Sequence, residues 1–223
     1  TRRSSDLEER LRAELDIPVM HDDQWGAATV TLAALINAIK LADKKKEDIR
    51  VVLSGVGAAG VATARLMNAY GIKNIIYVDS KGIINHSRED LNKEKLELLN
   101  ASNVRDMSGD LATAIAGVDV FIGLSKPGVL TSDMVKGMND KSIIFALANP
   151  TPEIMPEEAL NAGAFIVGTG RSDYPNQINN SLVFPGFWRG MLDAQQMGTY
   201  KNVNTGTFVA IAEALADHVT NLR

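Results

Sequence analysis

The chain has 223 residues, of which 45% are hydrophobic and 22% charged, with a formal net charge of −4. That composition is ordinary for a folded globular domain, and the lack of a long basic run argues against nucleic acid as the main partner. There is no cysteine, which excludes disulfides, thiolate metal sites and a cysteine nucleophile.

The start, Thr1-Arg2-Arg3-Ser4-Ser5, is polar and carries no initiator Met. It lacks the apolar core of a secretion signal, and no apolar run approaches the roughly 20 residues that a membrane helix needs. No membrane partner is expected, and the cytoplasm is the expected location. Residues 6–14 read as a short charged helix with Leu7, Leu11 and Leu15 on one face, and 17–20 as a short apolar strand containing Pro18. His21-Asp22-Asp23 reads as a polar turn. Residues 26–41 form a long apolar helix, in which Ala28, Leu32, Leu35, Ile36 and Ile39 recur at helical spacing. The run from Lys44 to Asp48 is a solvated loop.

From there strands and helices alternate. Strands are predicted at 50–54, 74–78, 118–123, 142–147 and 165–168, and helices at 59–70, 93–100, 110–115, 131–138 and 156–161. Thr131-Ser132-Asp133 supplies side-chain caps, and Pro156-Glu157-Glu158 puts Pro and acids in a first turn. A last amphipathic helix covers 205–219. The strands are short and apolar on both faces, as in a parallel sheet covered by helices. The alternation predicts an α/β fold: one domain over 1–223, with a doubly wound, mostly parallel sheet of the Rossmann type and helices on both faces.

The most informative stretch runs from Val51 to Asp79. An apolar run ends in Gly55-Val56-Gly57-Ala58-Ala59-Gly60, a helical pattern follows, and a second apolar run closes on Asp79. This combination grips a dinucleotide. Gly55 allows the tight turn, Gly57 lets a pyrophosphate approach the backbone, and Gly60 lets helix and strand pack closely. The helix start, at Ala58 and Ala59, offers unpaired N–H groups and a partial positive charge to phosphate. Asp79 is placed to accept a hydrogen bond from a ribose 2′-hydroxyl.

In an open α/β sheet ligands lie beyond the carboxyl ends of the strands. The loops there are rich in small and amide residues: the glycine turn, Asp79 to Gly82, Leu124 to Gly128, Ala148 to Pro152 and Thr169 to Asp173. Asn149, after a fully apolar strand, points to a site rather than a mere turn. Pro175-Asn176-Gln177-Ile178-Asn179-Asn180 gathers four amides in five residues, donors and acceptors suited to a carboxylate or carboxamide. Asp22 and Asp23 offer oxygen donors suited to Mg²⁺ or Mn²⁺. The same two acids would serve as a helix cap, and spacing alone leaves both readings open, the cap being the simpler.

Taken together these segments resemble the malic enzyme family, and specifically the cofactor-binding domain of its bacterial-type branch. The matching stretches run from Ile17 to Gly26, through the glycine turn and Val78 to Gly82, to Phe145–Glu153, Gly170–Asn180, Phe184-Pro185-Gly186 and Arg189-Gly190. The resemblance implies NAD- or NADP-dependent, metal-assisted oxidation and decarboxylation of malate to pyruvate and CO₂. It implies a metal ligand at Asp23 with Asp22 beside it, in place of the cap. By the same resemblance, Asn149 and Asn180 are expected near nicotinamide and substrate carboxylate, Asn179 as a further cofactor or substrate contact, and Ser125 in a loop that lines the cofactor.

The family's base Lys, acid Tyr, upstream Glu-Asp ligands and substrate-binding Arg belong to an N-terminal domain that has no matching motif here. The chain is therefore expected to be a cofactor module, inactive alone, that works with that domain, and oligomers are common in the family. Trp25 stands where the branch carries His. Asp79 favours NAD over NADP by repelling a 2′-phosphate, and Lys81 softens that preference. Two alternatives remain open: a malolactic or oxaloacetate-decarboxylating relative, and a non-catalytic module that binds a nicotinamide cofactor.

Overall fold

The computed structural model describes residues 2–102, 104, 107–199 and 203–219. Among these, the apolar runs become one six-stranded sheet. Its strands are β1 (Val51–Ser54), β2 (Ile75–Asp79), β3 (Gly82–Ile83), β4 (Val120–Gly123), β5 (Ile143–Ala146) and β6 (Ile166–Thr169). The order is β3-β2-β1-β4-β5-β6, parallel throughout except for β3, which pairs antiparallel with β2. The chain winds outward from β1 through β2, then returns to place β4 on β1's other side. That reversal opens a crevice at the carboxyl ends of β1 and β4, the place where such sheets bind ligands.

The helices are α1 (Arg2–Glu14), α2 (Ala27–Ala42), α3 (Ala58–Tyr70), α4 (Lys93–Ala101), α5 (Leu111–Ile115), α6 (Ser132–Lys136), α7 (Pro156–Asn161), α8 (Phe184–Gln196) and α9 (Thr205–His218). Successive strand side chains point to opposite faces. Val51, Leu53, Tyr77, Ile122 and Phe145 therefore join the core beneath α2, α3 and α9. Val52, Ile76, Phe121 and Ile144 join a second core under α5, α6 and α7. Leu53 is fully buried, so cutting it to Ala would cost about 2–5 kcal/mol. Asn204 caps α9, accepting from Thr207 N at 3.1 Å, and the Thr207 hydroxyl accepts in turn from Asn204 N at 3.3 Å.

Four features depart from the sequence expectation. Residues 17–20 form no strand: the segment pairs with none of the six strands and is a connector with Ile17 58% exposed. His21-Asp22-Asp23 is not a simple turn, because Asp22–Gly26 is a π-helical turn that runs straight into α2. The continuous helix Asp22–Ala42 is thus long and apolar enough to cross a membrane by length and composition, although 78% of its apolar window is buried in the domain. Finally, α8 has no counterpart among the predicted helices; it begins at Phe184, and Pro185 sits in its first turn, where a missing N–H costs nothing.

Candidate cofactor and carboxylate site

The glycine turn links β1 to α3 and walls a crevice of about 580 Å³, together with Asp79, Ser125 and Lys126. Its three glycines have three different physical reasons. Gly55 adopts φ +101°, and a Cβ there would strike the Leu124 carbonyl of the neighbouring loop. A Cβ on Gly60 would strike the Gly55 carbonyl, so this glycine is required by helix–strand contact. A Cβ on Gly57 would meet nothing within 4 Å. The fold itself does not need glycine at 57, and the position opens onto the crevice. Gly57 is also the N-cap of α3 and provides no side-chain hydrogen bond, so the first-turn N–H groups at Ala58 and Ala59 remain available to phosphate.

Asp79 ends β2 on the crevice wall and is heavily engaged. It accepts from Lys81 N at 2.9 Å, from Arg88 Nη1 and Nη2 at 2.9 and 3.0 Å, and from Lys95 Nζ at 2.6 Å. Burial alone would raise its pKa, but the hydrogen bonds from Arg88 and Lys95 outweigh that and hold it at about 2. Arg88 and Lys81 also pair with Asp90, so three cations surround two carboxylates at this corner. Arg88 and Lys95 lie 9 and 16 positions beyond Asp79, and no motif reading singled them out.

The loops after β4 and β5 are tied together by Glu153, which sequence reading also missed. Glu153 is fully buried, accepting from Ser125 N on Oε1 and from Ala148 N on Oε2, both at 2.9 Å. A Cβ on Gly123 would strike its carboxylate, which explains a glycine at the end of β4. Burial pushes the Glu153 pKa up, against the two backbone hydrogen bonds. Ser125 also shares a 3.2 Å hydrogen bond with the Ser54 hydroxyl. Asn149 stands exposed at the end of β5, next to the cis Asn149–Pro150 bond.

The carboxylate pair sits on the π-turn. Asp22 is half-buried and its Oδ2 accepts from Asn180 Nδ2, at the end of the amide-rich loop that follows β6. Asp22 Oδ1 is buried and has no partner, and neither does His21 Nδ1. Gly26 makes room for this carboxylate, since a Cβ there would strike Asp22 Oδ1. Asp23 is exposed. A buried, partnerless carboxylate oxygen beside an exposed one suits part of a hard-cation site. No group of three or more His, Asp or Glu that could hold a metal occurs among the described residues, so these two acids could supply only part of a coordination shell. Asn179 turns its amide inward, donating to Gly170 O at 3.1 Å and accepting from Ser181 N at 3.0 Å. Asn176 likewise donates to Val167 O at 3.0 Å. Two of the four amides thus hold the loop, while Asn180 reaches the carboxylates.

Residues 25–223 match the family described as malic enzyme, NAD binding domain. The chain belongs to the malic enzyme family.

Among curated relatives, it is 48% identical over 215 residues to a bifunctional malic/malolactic enzyme of Bacillus subtilis, covering 96% of this chain and 52% of that protein. It is 49% identical to an NAD-dependent malic enzyme of Geobacillus stearothermophilus, covering 98% of this chain and 45% of that one. The solved structure of malic enzyme from Pyrococcus horikoshii superposes with a TM-score of 0.88 at 43% identity, over 95% of this chain and 50% of that one. The chain thus spans about half the length of the curated relatives it matches. The malic enzyme fold explains the Rossmann-type sheet, and it agrees with the position of the glycine turn at the β1–β4 reversal. Trp25, which departs from the bacterial pattern, turns away from the carboxylates: it is buried, stacks on Phe208 at 4.8 Å, and donates to Glu8 Oε2 at 3.3 Å.

Proposed function

We propose that this chain is the cofactor-binding half of an enzyme that oxidises malate with NAD and releases CO₂ to leave pyruvate. The observation that carries this reading is the open space at Gly57 on the wall of the crevice, in a chain whose Asp22–Asn180 pair links the π-turn to the amide-rich loop after β6. In this reading the backbone N–H groups of Ala58 and Ala59 bind the pyrophosphate, and Asp79 accepts from the adenosine ribose. Ser125, held by Glu153, lines the cofactor. Asn149 and Asn180 donate to the carboxylate or carboxamide of whatever lies at the nicotinamide end.

Asp23, with Asp22 beside it, would hold a Mg²⁺ or Mn²⁺ ion, and that ion when bound supplies Lewis-acid stabilisation of a developing carbonyl or enolate oxygen. Asn180 keeps Asp22 oriented for this role. The groups that move the hydroxyl and carbon protons, and the remaining metal ligands, come in this reading from a second domain of the same protein.

The reading is tested by titrating the chain with NAD and by assaying it with malate, NAD and Mn²⁺. Saturable NAD binding without NADH production is the expected result. Failure to bind NAD would overturn the cofactor assignment, and NADH production by the 223-residue chain would overturn the assignment of the proton-transfer groups to another domain. The Bacillus subtilis relative, described as bifunctional, favours a malolactic outcome as the second reading. Assaying lactate as well as pyruvate in a chain joined to its partner domain separates the two.

A further inference from the structure

Among the described residues that line the crevice at the glycine turn, Lys126 is the only cation. Its side chain is exposed, and no ion pair or hydrogen bond engages it among the described residues. The two acids on the same walls are already occupied. Asp79 is paired with Arg88 and Lys95, and Asp110 caps α5, accepting from Thr113 N and Oγ1 at 2.9 Å each.

The backbone on either side of Lys126 is pinned while its side chain is free. Leu124 N donates to Ser54 O at 2.8 Å, Ser125 N to Glu153 Oε1 at 2.9 Å, and Gly128 N to Pro152 O at 3.3 Å. Pro127 disfavours a helical conformation at the residue before it, which narrows the choices further. A long side chain on a fixed base meets only what lies near that base. Here the base adjoins the glycine turn. β4 pairs with β1, and the loops that follow them touch, since a Cβ on Gly55 would strike Leu124 O and come within 3.0 Å of Ser125 N. Asp79 ends β2, on the other side of β1. Neighbouring strands lie about 4.8 Å apart, so the loop of Lys126 is one spacing from the glycine turn and two, about 10 Å, from the corner at Asp79. The nearest place for an anion is therefore the first turn of α3, where Ala58 and Ala59 are half-buried and no side chain caps the helix.

We propose that Lys126 is a phosphate-binding residue of the crevice, its ammonium group pairing with the pyrophosphate of a dinucleotide whose phosphates lie on the N–H groups of Ala58 and Ala59. This assignment rests on the reading of the crevice as a cofactor site. A pyrophosphate brings two negative charges between walls that carry the carboxylates of Asp79 and Asp110. The helix start offsets only about half a charge. Lys126 adds a full one, as a compact ammonium group that can pair with any phosphate oxygen.

The test is calorimetric titration of the chain, of Lys126→Gln and of Lys126→Arg with NAD and with NADP, at low and at physiological ionic strength. Lys126→Gln should weaken both nucleotides alike, by about tenfold, and should flatten the salt dependence of NAD binding. Lys126→Arg keeps the charge and should restore most of the affinity. An exposed side chain without a partner leaves the fold alone, so the thermal midpoints of the three proteins should agree. Unchanged NAD affinity in Lys126→Gln would overturn this assignment and leave the cofactor reading standing. A loss confined to NADP would move the ammonium group to the 2′-phosphate and overturn it as well. Failure of the unaltered chain to bind either nucleotide would instead overturn the cofactor reading, and this assignment with it.

Discussion

Asp22 and Asn180 stand 158 positions apart in the chain, and the side-chain amide of Asn180 donates to Asp22 Oδ2. The contact joins the π-turn ahead of α2 to the loop after β6, the first and last parts of the proposed site. It leaves the other carboxylate oxygen buried and without a partner, in a space that Gly26 keeps clear. A half-satisfied carboxylate in that position costs folding free energy, and such costs are retained mainly where function needs them.

Asp22→Asn should therefore leave stability unchanged or raise it by about 1 kcal/mol, since a neutral amide is cheaper to bury. Asn180→Ala should lower stability by about 1–3 kcal/mol, because the carboxylate then loses its remaining partner. Urea unfolding midpoints of the two variants measure this. Equal losses in both would mean that the charge on Asp22 is structural.

Gly57 and Gly60 make a contrasting pair. Gly57→Val should leave the fold intact, since nothing lies within 4 Å of its Cβ position and its φ of −89° suits any residue. It should weaken NAD by about a hundredfold or more, the side chain occupying the space of the pyrophosphate. Gly60→Ala should instead lower the melting temperature, because its Cβ would strike the Gly55 carbonyl. Calorimetric titration and thermal unfolding of both variants separate the two roles, and normal NAD affinity in a folded Gly57→Val would remove the cofactor from the glycine turn.

Much of this was legible in the sequence. Continuous apolar runs ending in small residues gave the five parallel strands, because strands buried on both faces carry no polar alternation. The glycine turn and Asp79 were legible because each has a local reason. What depended on distant contacts was not. The π-turn at Asp22–Gly26 is fixed by packing and by Asn180, and the segment 17–20 has strand-like residues but pairs with no strand. Glu153 looks like an ordinary loop acid, since its partners Ser125 and Ala148 meet it only when the loops after β4 and β5 are brought together. Two of the four amides turned out to brace the loop, a role that composition cannot distinguish from ligand contact.

Asp79 sets both a pH dependence and a cofactor preference. Its pKa falls from an ordinary 3.8 to about 2, so its ion pairs stabilise the fold above the unfolded value and are lost as pH falls through the folded one. Acid titration should show a loss of about 2 kcal/mol between roughly pH 4 and pH 2 that Asp79→Asn lacks. The cations around Asp79 also offset its repulsion of a 2′-phosphate. NADP should bind within about tenfold of NAD, and Arg88→Leu should weaken NADP more than NAD by leaving Asp79 under-compensated. Competitive titrations with the two nucleotides check this; an unchanged ratio in Arg88→Leu would place the 2′-position away from this corner.

Glu153 positions two loops at once, and its removal should be felt in both stability and binding. Its two oxygens each accept a backbone N–H, from Ser125 and from Ala148. Glu153→Gln keeps the shape but has one acceptor where two are needed, so one buried N–H faces an amide N–H₂. A loss of about 1–3 kcal/mol is expected, together with an NAD affinity lower by about tenfold as Ser125 is released. The pH dependence has a definite sign. Burial raises the pKa of this acid above its ordinary 4.5, so its contribution is fully present below that value and declines as pH rises through the folded pKa. Gln is neutral throughout, so the stability gap between the two proteins should be widest in acid and narrow towards neutrality. Urea midpoints at a series of pH values measure the gap directly, and a gap that widens with rising pH would mean that the two backbone donors, rather than burial, govern the charge on Glu153.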